Sequence, residues 1–314
     1  MNAKEAPFHR LAGDATPPAR AFWMRAEDDV RLRLALWPSG PARGTVLLFP
    51  GRTEYVEKYA PVAQRLNAAG YAVLAIDWRG QGMSDRLQSD PRPGHVGGFA
   101  DYQRDVIEMV VAAEGLGLPP PWHLLAHSMG GCIGLAALDA GLPVATAAFS
   151  APMWGINLGR VPHRAAVWMS AIAARLGRGG HPVPGSGGRG SYYLDEAFAT
   201  NLLTCDAGEW AWLLREAATW PDLTIGGASY DWLGAGLAEC ARLAALPTPD
   251  LPMIVALGGG EQVVSPAAIR DRAARWPGAR LVEIEGARHE IMRCLPERRQ
   301  LFMAALLDLF DAAA

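Results

Sequence analysis

A short segment near the middle of the chain, residues 122–131, has the residue types of a nucleophile held on a tight turn. It reads WHLLAHSMGG. The apolar residues before Ser128 predict a short buried strand, and the glycines after it predict a closely packed helix whose positive end faces the serine. Such a strand–turn–helix exposes a serine hydroxyl that can attack a carbonyl carbon. A small–x–Ser–x–Gly sequence also occurs by chance. The prediction therefore depends on whether the rest of the chain contains a base and an acid in suitable positions.

A serine nucleophile needs a base, and the base needs an acid that orients it. In a parallel sheet all of these residues must lie in loops at the carboxyl ends of strands. Downstream of Ser128, His289 is the histidine that directly follows a predicted core strand. His127 is adjacent to Ser128 in the turn, but its side chain is expected to point elsewhere, so it is a poor base. Glu261 follows the preceding strand, whereas Asp250 comes before that strand. We therefore predict Ser128, Glu261 and His289 as the catalytic residues, with the alternative that Glu261 is solvated and another acid serves.

The tetrahedral intermediate of acyl transfer also needs backbone N–H donors for its oxyanion. One donor is expected to be the amide of Met129, directly after the nucleophile. The other is expected in the turn after the first buried strand, where Gly51 and Arg52 lie, and we predict the amide of Arg52. The Arg52 side chain has two interpretations: it attracts an anionic head group, or it pairs with an acid such as Glu54.

These residues lie between alternating strand and helix patterns. From Thr45 onward the order is strand, helix, strand, helix, strand, helix, strand. This order predicts an α/β fold with a mostly parallel, doubly wound sheet and helices on both faces. Residues 21–26 and 30–37 predict two earlier strands. The second is expected to be antiparallel and half-buried, because apolar and charged residues alternate from 30 to 34.

Residues 151–246 interrupt the alternation with a segment that has no strong strand run. We interpret this segment as a helical cap or lid inserted into a core formed by residues 1–150 and 247–314. A flexible loop is expected near Gly185-Ser186-Gly187-Gly188. Most of the cap's tryptophans are expected to form its small core, while Met153 and Trp154 are predicted to contact an apolar substrate. The tryptophans are Trp154, Trp168, Trp210, Trp212, Trp220 and Trp232.

Composition narrows the class of protein. The chain has 314 residues, of which 50% are hydrophobic and 19% charged, and this is an ordinary globular composition. The net charge of -3 gives no basis for binding nucleic acid. The cysteine spacing matches neither a metal site nor a dense disulfide framework, so we expect no metal and no cofactor. The first twenty residues lack the apolar region of a secretory signal. We expect a cytoplasmic protein, and the composition allows peripheral contact with the inner membrane face through the cap; the oligomeric state is not indicated.

Taken together, the motifs resemble the α/β-hydrolase family and, within it, the lysophospholipase and monoacylglycerol lipase group. The resemblance is carried by residues 49–55 (FPGRTEY), 77–84 (DWRGQGMS), 126–131 (AHSMGG), 258–264 (GGGEQVV) and 286–290 (GARHE). The order serine, acid, histidine is also that of the family. The chain departs from the family pattern at Pro50, where histidine is usual, and at Ala126, where glycine is usual. Both departures leave the backbone donors in place.

The resemblance implies a serine hydrolase that cleaves carboxylic esters of a lipid-like substrate, a lysophospholipid or a monoacylglycerol, through an acyl-enzyme on Ser128. It also implies that Asp77 and Arg79 brace the loop beside the site. An acyltransferase or a small-ester carboxylesterase would use the same residues. A catalytically silent binding protein is the alternative from another class, because a fold does not fix a function.

Overall fold

A computed structural model describes residues 3–184 and 190–313, and in these residues a single eight-stranded sheet is flanked by helices. The strands are β1 (Arg20–Arg25), β2 (Arg31–Trp37), β3 (Gly44–Phe49), β4 (Tyr71–Asp77), β5 (Trp122–His127), β6 (Thr146–Ser150), β7 (Met253–Gly258) and β8 (Arg280–Ile284). Their order across the sheet is β1-β2-β4-β3-β5-β6-β7-β8. Strands β4, β3, β5, β6, β7 and β8 run parallel, while β1 and β2 pair antiparallel at one edge. The predicted α/β-hydrolase sheet is confirmed.

Helices connect the parallel strands and cover the sheet. They are α1 (Ala60–Ala68), α2 (Ala100–Gly115), α3 (Met129–Asp139), α4 (His163–Arg175), α5 (Tyr192–Asp195), α6 (Ala207–Thr219), α7 (Tyr230–Ala245), α8 (Pro266–Arg275) and α9 (Pro296–Asp311). Strands β3 to β7 are buried along their whole length, apart from the first residue of β5, as continuous apolar runs predict. Because parallel strands share one direction, their carboxyl ends lie on one edge of the sheet, and the loops after β3, β5, β7 and β8 therefore converge there.

The prediction that β2 is half-buried is wrong, although its antiparallel pairing is confirmed. Beyond Arg31 the strand is buried on both faces, and the Arg33 side chain is fully enclosed. Its guanidinium donates to Asp77 and, through both terminal nitrogens, to Glu57, each at 2.7 Å. An alternating charge normally indicates a solvated face, but here an ion-pair network offsets the cost of burying it. Asp77 also accepts from the backbone amides of Val56 and Met83.

The segment predicted to form the cap lies between β6 and β7 and contains helices α4 to α7. Its tryptophans differ in burial: Trp210 and Trp232 are buried, whereas Trp168 on α4 is 66% exposed. Trp168 is therefore an exception to the prediction that most of them form the core of the cap, and that prediction is not otherwise tested. The residues Gly185-Ser186-Gly187-Gly188 lie outside the described residues, and the boundaries of core and cap stay a prediction.

Candidate active site

Ser128 occupies the sharp turn between β5 and α3. Its backbone adopts φ 51° and ψ −119°, a left-handed conformation that side-chain-bearing residues rarely take and that is typical of strained functional turns. Among the described residues of the turn, only Ser128 has a positive φ. Ala126, which stands where the family has glycine, therefore adopts a backbone conformation that alanine takes without strain. The small residue needed for close packing is instead Gly130. A Cβ atom there would lie only 2.1 Å from the carbonyl oxygen of Phe49.

His289 and Glu261 approach Ser128 from the loops after β8 and β7. His289 Nε2 lies 2.8 Å from Ser128 Oγ, and His289 Nδ1 lies 2.8 Å from Glu261 Oε2. A carboxylate can only accept, so Nδ1 carries the proton and Nε2 is free to take one from the serine hydroxyl. All three residues are at least nine-tenths buried. The structure thus brings the predicted nucleophile, base and acid together in one hydrogen-bonded line.

Glu261 is fixed in this line by the backbone as well as by the histidine. Its other oxygen, Oε1, accepts from the amides of Val263 at 2.6 Å and Val264 at 3.0 Å. Burial opposes ionisation, but the facing His289 and the amide donors outweigh it and hold the pKa of Glu261 below its ordinary value. Asp250, the acid rejected on sequence grounds, is exposed and lies before β7, at the opposite end of the sheet.

The turn after β3 packs directly against the serine. A Cβ atom on Gly51 would lie 3.0 Å from Ser128 Cβ. The amide of Gly51 is already used, because it donates to the Glu54 carboxylate. Within the described part of the chain, the amides of Arg52 and Met129 donate to no acceptor. Both are therefore free to receive an oxyanion, which is the role predicted for them.

Side chains from the neighbouring loop hold this turn in place. Trp78 Nε1 donates to the carbonyl of Pro50 at 2.9 Å, and Gln81 Nε2 donates to the carbonyl of Gly51 at 2.8 Å. Arg79 fixes the loop that contains Trp78 and Gln81, because its guanidinium pairs with Asp105 and with Asp28, each at 2.7 Å. The contacts of Arg79 are those of a bracing residue, as the family resemblance implied.

Met153 and Trp154 lie beneath the turn and are each 4% exposed. The Met153 amide donates to the Ser128 carbonyl at 2.8 Å, and the Trp154 indole donates to the Gly131 carbonyl at 3.1 Å. These contacts stabilise the loop after β6 against the start of α3. Contact of Met153 and Trp154 with a substrate stays a prediction.

A buried charged cluster adjoins the catalytic histidine. It consists of Glu54, Lys58, His127 and Glu290, with the Lys58 ammonium 2.5 Å from a carboxylate oxygen of each glutamate. His127 Nε2 lies 3.6 Å from each glutamate, while its Nδ1 faces the Ser150 carbonyl. Glu54, His127 and Glu290 could hold a metal by their spacing alone, with ligand atoms within 4.8 Å of one another. The Lys58 ammonium pairs with both carboxylates and already places one positive charge between them.

The charges in this cluster stabilise one another against the cost of burial. Burial disfavours the charged forms, but Lys58 and His127 hold the pKa of Glu290 well below its ordinary value. Burial likewise disfavours protonated His127, yet Glu54 and Glu290 raise its pKa. Sequence reasoning assigned no role to this cluster. The sequence feature that could have indicated it is the spacing of Glu54 and Lys58, which are four residues apart in a chain whose only other lysine is Lys4.

Lys58→Met is expected to destabilise the fold by about 3–5 kcal/mol at neutral pH, because it leaves two buried carboxylates without their cation. The loss should shrink in acid. The lowered pKa of Glu290 gives stability above the ordinary glutamate range, and that stability disappears as the pH falls and the group is protonated. Urea unfolding at several pH values measures the difference. Lys4→Met is the control, since Lys4 is exposed; equal stability of the two variants at neutral pH would contradict the prediction.

Comparison with known proteins places these features among lipid-ester hydrolases. The family model described as serine aminopeptidase, S33, matches residues 40–293. Lysophospholipase L2 of Escherichia coli strain K12 is 32% identical over 315 aligned positions, covering 94% of this chain and 90% of that protein. The probable lysophospholipase L2 of Haemophilus influenzae is 28% identical, covering 92% of each. A solved structure of a monoglyceride lipase from Saccharomyces cerevisiae has a similar fold, with a TM-score of 0.75 over 98% of this chain at 17% identity.

Proposed function

The chain belongs to the serine aminopeptidase S33 family, in the lysophospholipase and monoacylglycerol lipase-like group of α/β-hydrolases, and on that premise we propose that it hydrolyses carboxylic esters of monoacyl lipids through Ser128. The observation that carries the proposal is the hydrogen-bonded line from Ser128 through His289 to Glu261. The relatives that match along nearly the whole chain are lysophospholipases, and this favours an ester over the peptide bond that the family description names.

The geometry supports two successive acyl transfers. In the first, Ser128 Oγ attacks the ester carbonyl while His289 Nε2 accepts the serine proton. The amides of Arg52 and Met129 stabilise the oxyanion, and His289 then returns the proton to the departing alcohol oxygen. In the second, His289 takes a proton from water, whose oxygen attacks the acyl-enzyme carbonyl. The bond to Ser128 Oγ then breaks, His289 returns the proton to that oxygen, and the fatty acid is released. Glu261 remains ionised throughout and stabilises the imidazolium.

A panel of substrates tests the proposal. It contains a lysophospholipid, a monoacylglycerol with the same acyl chain, a short p-nitrophenyl ester and an aminoacyl p-nitroanilide. We expect release of fatty acid from the lipids and little cleavage of the anilide. Cleavage of the anilide without cleavage of any ester would overturn the proposal. Acyl transfer to an alcohol would use the same residues, and added glycerol separates it from hydrolysis, because transfer forms a new ester at the expense of free fatty acid.

We further propose that the protein contacts a lipid surface through one face of α4. Within the described residues, no helix is both long and apolar enough to cross a membrane. Helix α4 and the residue that caps its end nevertheless present large apolar side chains to solvent, among them Trp168 (66% exposed), Ile172 (51%) and the capping Leu176 (69%). The charged residues from 160 to 178 are all arginines, with no acidic residue between them. An apolar face flanked by arginines is the pattern of a helix that lies in the interface of an anionic membrane.

Replacing Trp168 and Leu176 together by serine is expected to weaken binding to phosphatidylglycerol-containing vesicles at least tenfold, because each side chain inserted into lipid contributes on the order of 1.5–3 kcal/mol. Co-sedimentation with vesicles measures binding, and turnover of a soluble short-chain ester should remain unchanged. Leu301→Ser, which alters an exposed leucine on α9, serves as the matched control. Unchanged vesicle binding by the double variant would exclude this surface.

A further inference from the structure

Arg52 carries a positive charge beside the nucleophile, and among the described residues no carboxylate pairs with it. Its Nη2 donates to the carbonyl of Pro93 at 2.7 Å, and its guanidinium lies over the Trp232 ring, 5.0 Å from the ring centre. Its Nε is buried without a hydrogen-bond partner among the described residues. The expected alternative, a salt bridge to Glu54, is absent from the described part of the chain, where Glu54 pairs with Lys58.

Two other buried arginines, Arg33 and Arg79, are paired with acids. Arg33 contacts two carboxylates and Arg79 contacts two others. Burying a cation is costly unless an anion accompanies it, so these arginines show the usual solution. Burial lowers the pKa of Arg52 to about 10, slightly opposed by Tyr102, and the side chain therefore remains protonated at neutral pH. The positive charge of Arg52 thus persists without an acidic partner, as in a site that receives its anion from a ligand.

The position of Arg52 relates that charge to the reaction. Its backbone amide is one of the free donors beside Ser128, so the carbonyl oxygen of a bound ester is expected next to it. Its guanidinium lies at the far end of the side chain from this amide, between the loop that contains Pro93 and helix α7 of the cap. Arg52 is partly exposed as a residue, whereas its Nε is buried. A ligand is therefore expected to reach the guanidinium through its terminal nitrogens.

A lysophospholipid has matching chemistry. Its ester carbonyl is separated from its phosphate by the three carbons of glycerol and the intervening oxygens, a span comparable to that between an arginine amide and its guanidinium. The planar guanidinium donates through several N–H groups and suits the oxygens of a phosphate diester. A monoacylglycerol bound in the same way would place a neutral hydroxyl there and leave the cation without an anion.

We propose that the Arg52 side chain binds the phosphate of a monoacyl glycerophospholipid and makes the enzyme prefer this substrate over a monoacylglycerol with the same acyl chain. The inference rests on the proposed ester hydrolysis at Ser128 and adds to it a residue that determines the head group. Arg52 thus has two separate roles. Its backbone amide donates to the oxyanion of every ester substrate, and its side chain binds the phosphate of those substrates that carry one.

The test compares oleoyl lysophosphatidylglycerol with monooleoylglycerol, each as a monomer below its aggregation concentration. The readout is the ratio of kcat/KM for the two lipids, because this ratio cancels any common effect of substitution on the catalytic turn. Arg52→Gln is expected to lower the ratio at least tenfold, as loss of a hydrogen-bonded charge partner predicts. Arg52→Lys, which keeps the charge, should lie between Arg52→Gln and the parent. Arg86→Gln is the control, since the Arg86 guanidinium donates instead to the Asp222 carbonyl at 2.9 Å, and its ratio should equal that of the parent.

The outcomes separate the two proposals. If neither lipid is hydrolysed by the parent protein, the proposed function itself fails. If both are hydrolysed and the ratio is equal in the parent and in Arg52→Gln, the function stands and the role of the Arg52 side chain is overturned. A fall of the ratio in Arg86→Gln as large as that in Arg52→Gln would also overturn it, because any loss of a cation near the cap would then suffice.

Discussion

Ser128→Ala is expected to lower kcat/KM for ester hydrolysis by roughly 10⁵- to 10⁶-fold, the scale seen when a serine nucleophile is removed from a hydrogen-bonded triad. The reason is geometric. Ser128 Oγ is the hydroxyl that lies within hydrogen-bond distance of His289 Nε2 among the described residues. Without it the imidazole has no side-chain nucleophile to activate. Initial rates on a p-nitrophenyl ester and on a lysophospholipid measure the loss.

The same substitution should leave the melting temperature nearly unchanged. Among the described residues the Ser128 side chain donates to His289 alone, and alanine keeps the Cβ atom that packs against the turn after β3. Ser150→Ala is a matched control, because Ser150 is a buried serine that ends the adjacent strand β6. We expect this control to retain activity within an order of magnitude of the parent. Parent-like turnover by folded Ser128→Ala would show that the nucleophile has been misassigned.

Glu261→Gln is expected to lower kcat by roughly 10³- to 10⁴-fold while changing KM little, as amide substitution of the orienting acid does in other triads. Glutamine is nearly isosteric, but its amide can donate to Nδ1 of His289. The proton would then move to Nε2, which could no longer accept from Ser128. The variant therefore tests the charge and tautomer control supplied by Glu261 rather than its volume. Single-turnover measurements with a p-nitrophenyl ester report the acylation step directly.

Asp250→Asn is the control for this variant, since Asp250 is exposed at the far end of β7 and should be replaceable without effect. A stability measurement adds a second readout. Because the pKa of Glu261 is lowered in the folded state, its ionisation stabilises the fold above the ordinary glutamate range and ceases to do so as the pH falls through the lowered value. Parent and Glu261→Gln should therefore differ most near neutral pH and converge in acid. Loss of activity in Asp250→Asn with full activity in Glu261→Gln would reverse the assignment of the acid.

The sheet and the order of the triad could be predicted because they depend on local patterns. Continuous apolar runs indicate strands buried on both faces, and alternation with helices requires a parallel sheet whose carboxyl ends meet. Given that edge, the residue directly after each strand is constrained, and Ser128, Glu261 and His289 follow from position. Alanine at position 126, where the family has glycine, needs no left-handed backbone for a reason that the sequence does not display: among the described residues of the turn, the positive φ belongs to Ser128.

Features that depend on contacts between distant segments were not predictable in this way. Arg33 looks like the solvent-facing half of an alternating strand, yet Glu57 and Asp77, 24 and 44 residues away, enclose it. Lys58 bridges Glu54 to Glu290, which is 232 residues further along the chain. Trp168 follows a helical apolar pattern that indicates burial in a core, but it is 66% exposed. A one-dimensional pattern shows which side chains share a face and leaves open what lies opposite that face.

The measurement that tests the central claim most directly is labelling of the folded protein with a fluorophosphonate, followed by intact mass measurement and peptide mapping. A serine activated by His289 and Glu261, with free amides beside it, should form one covalent phosphonyl adduct. We expect that adduct on the peptide containing Ser128 in the parent protein, and none in Ser128→Ala. Folded parent protein that remains unlabelled, or that carries the adduct on another residue, would contradict the account of this site as a serine hydrolase acting through Ser128.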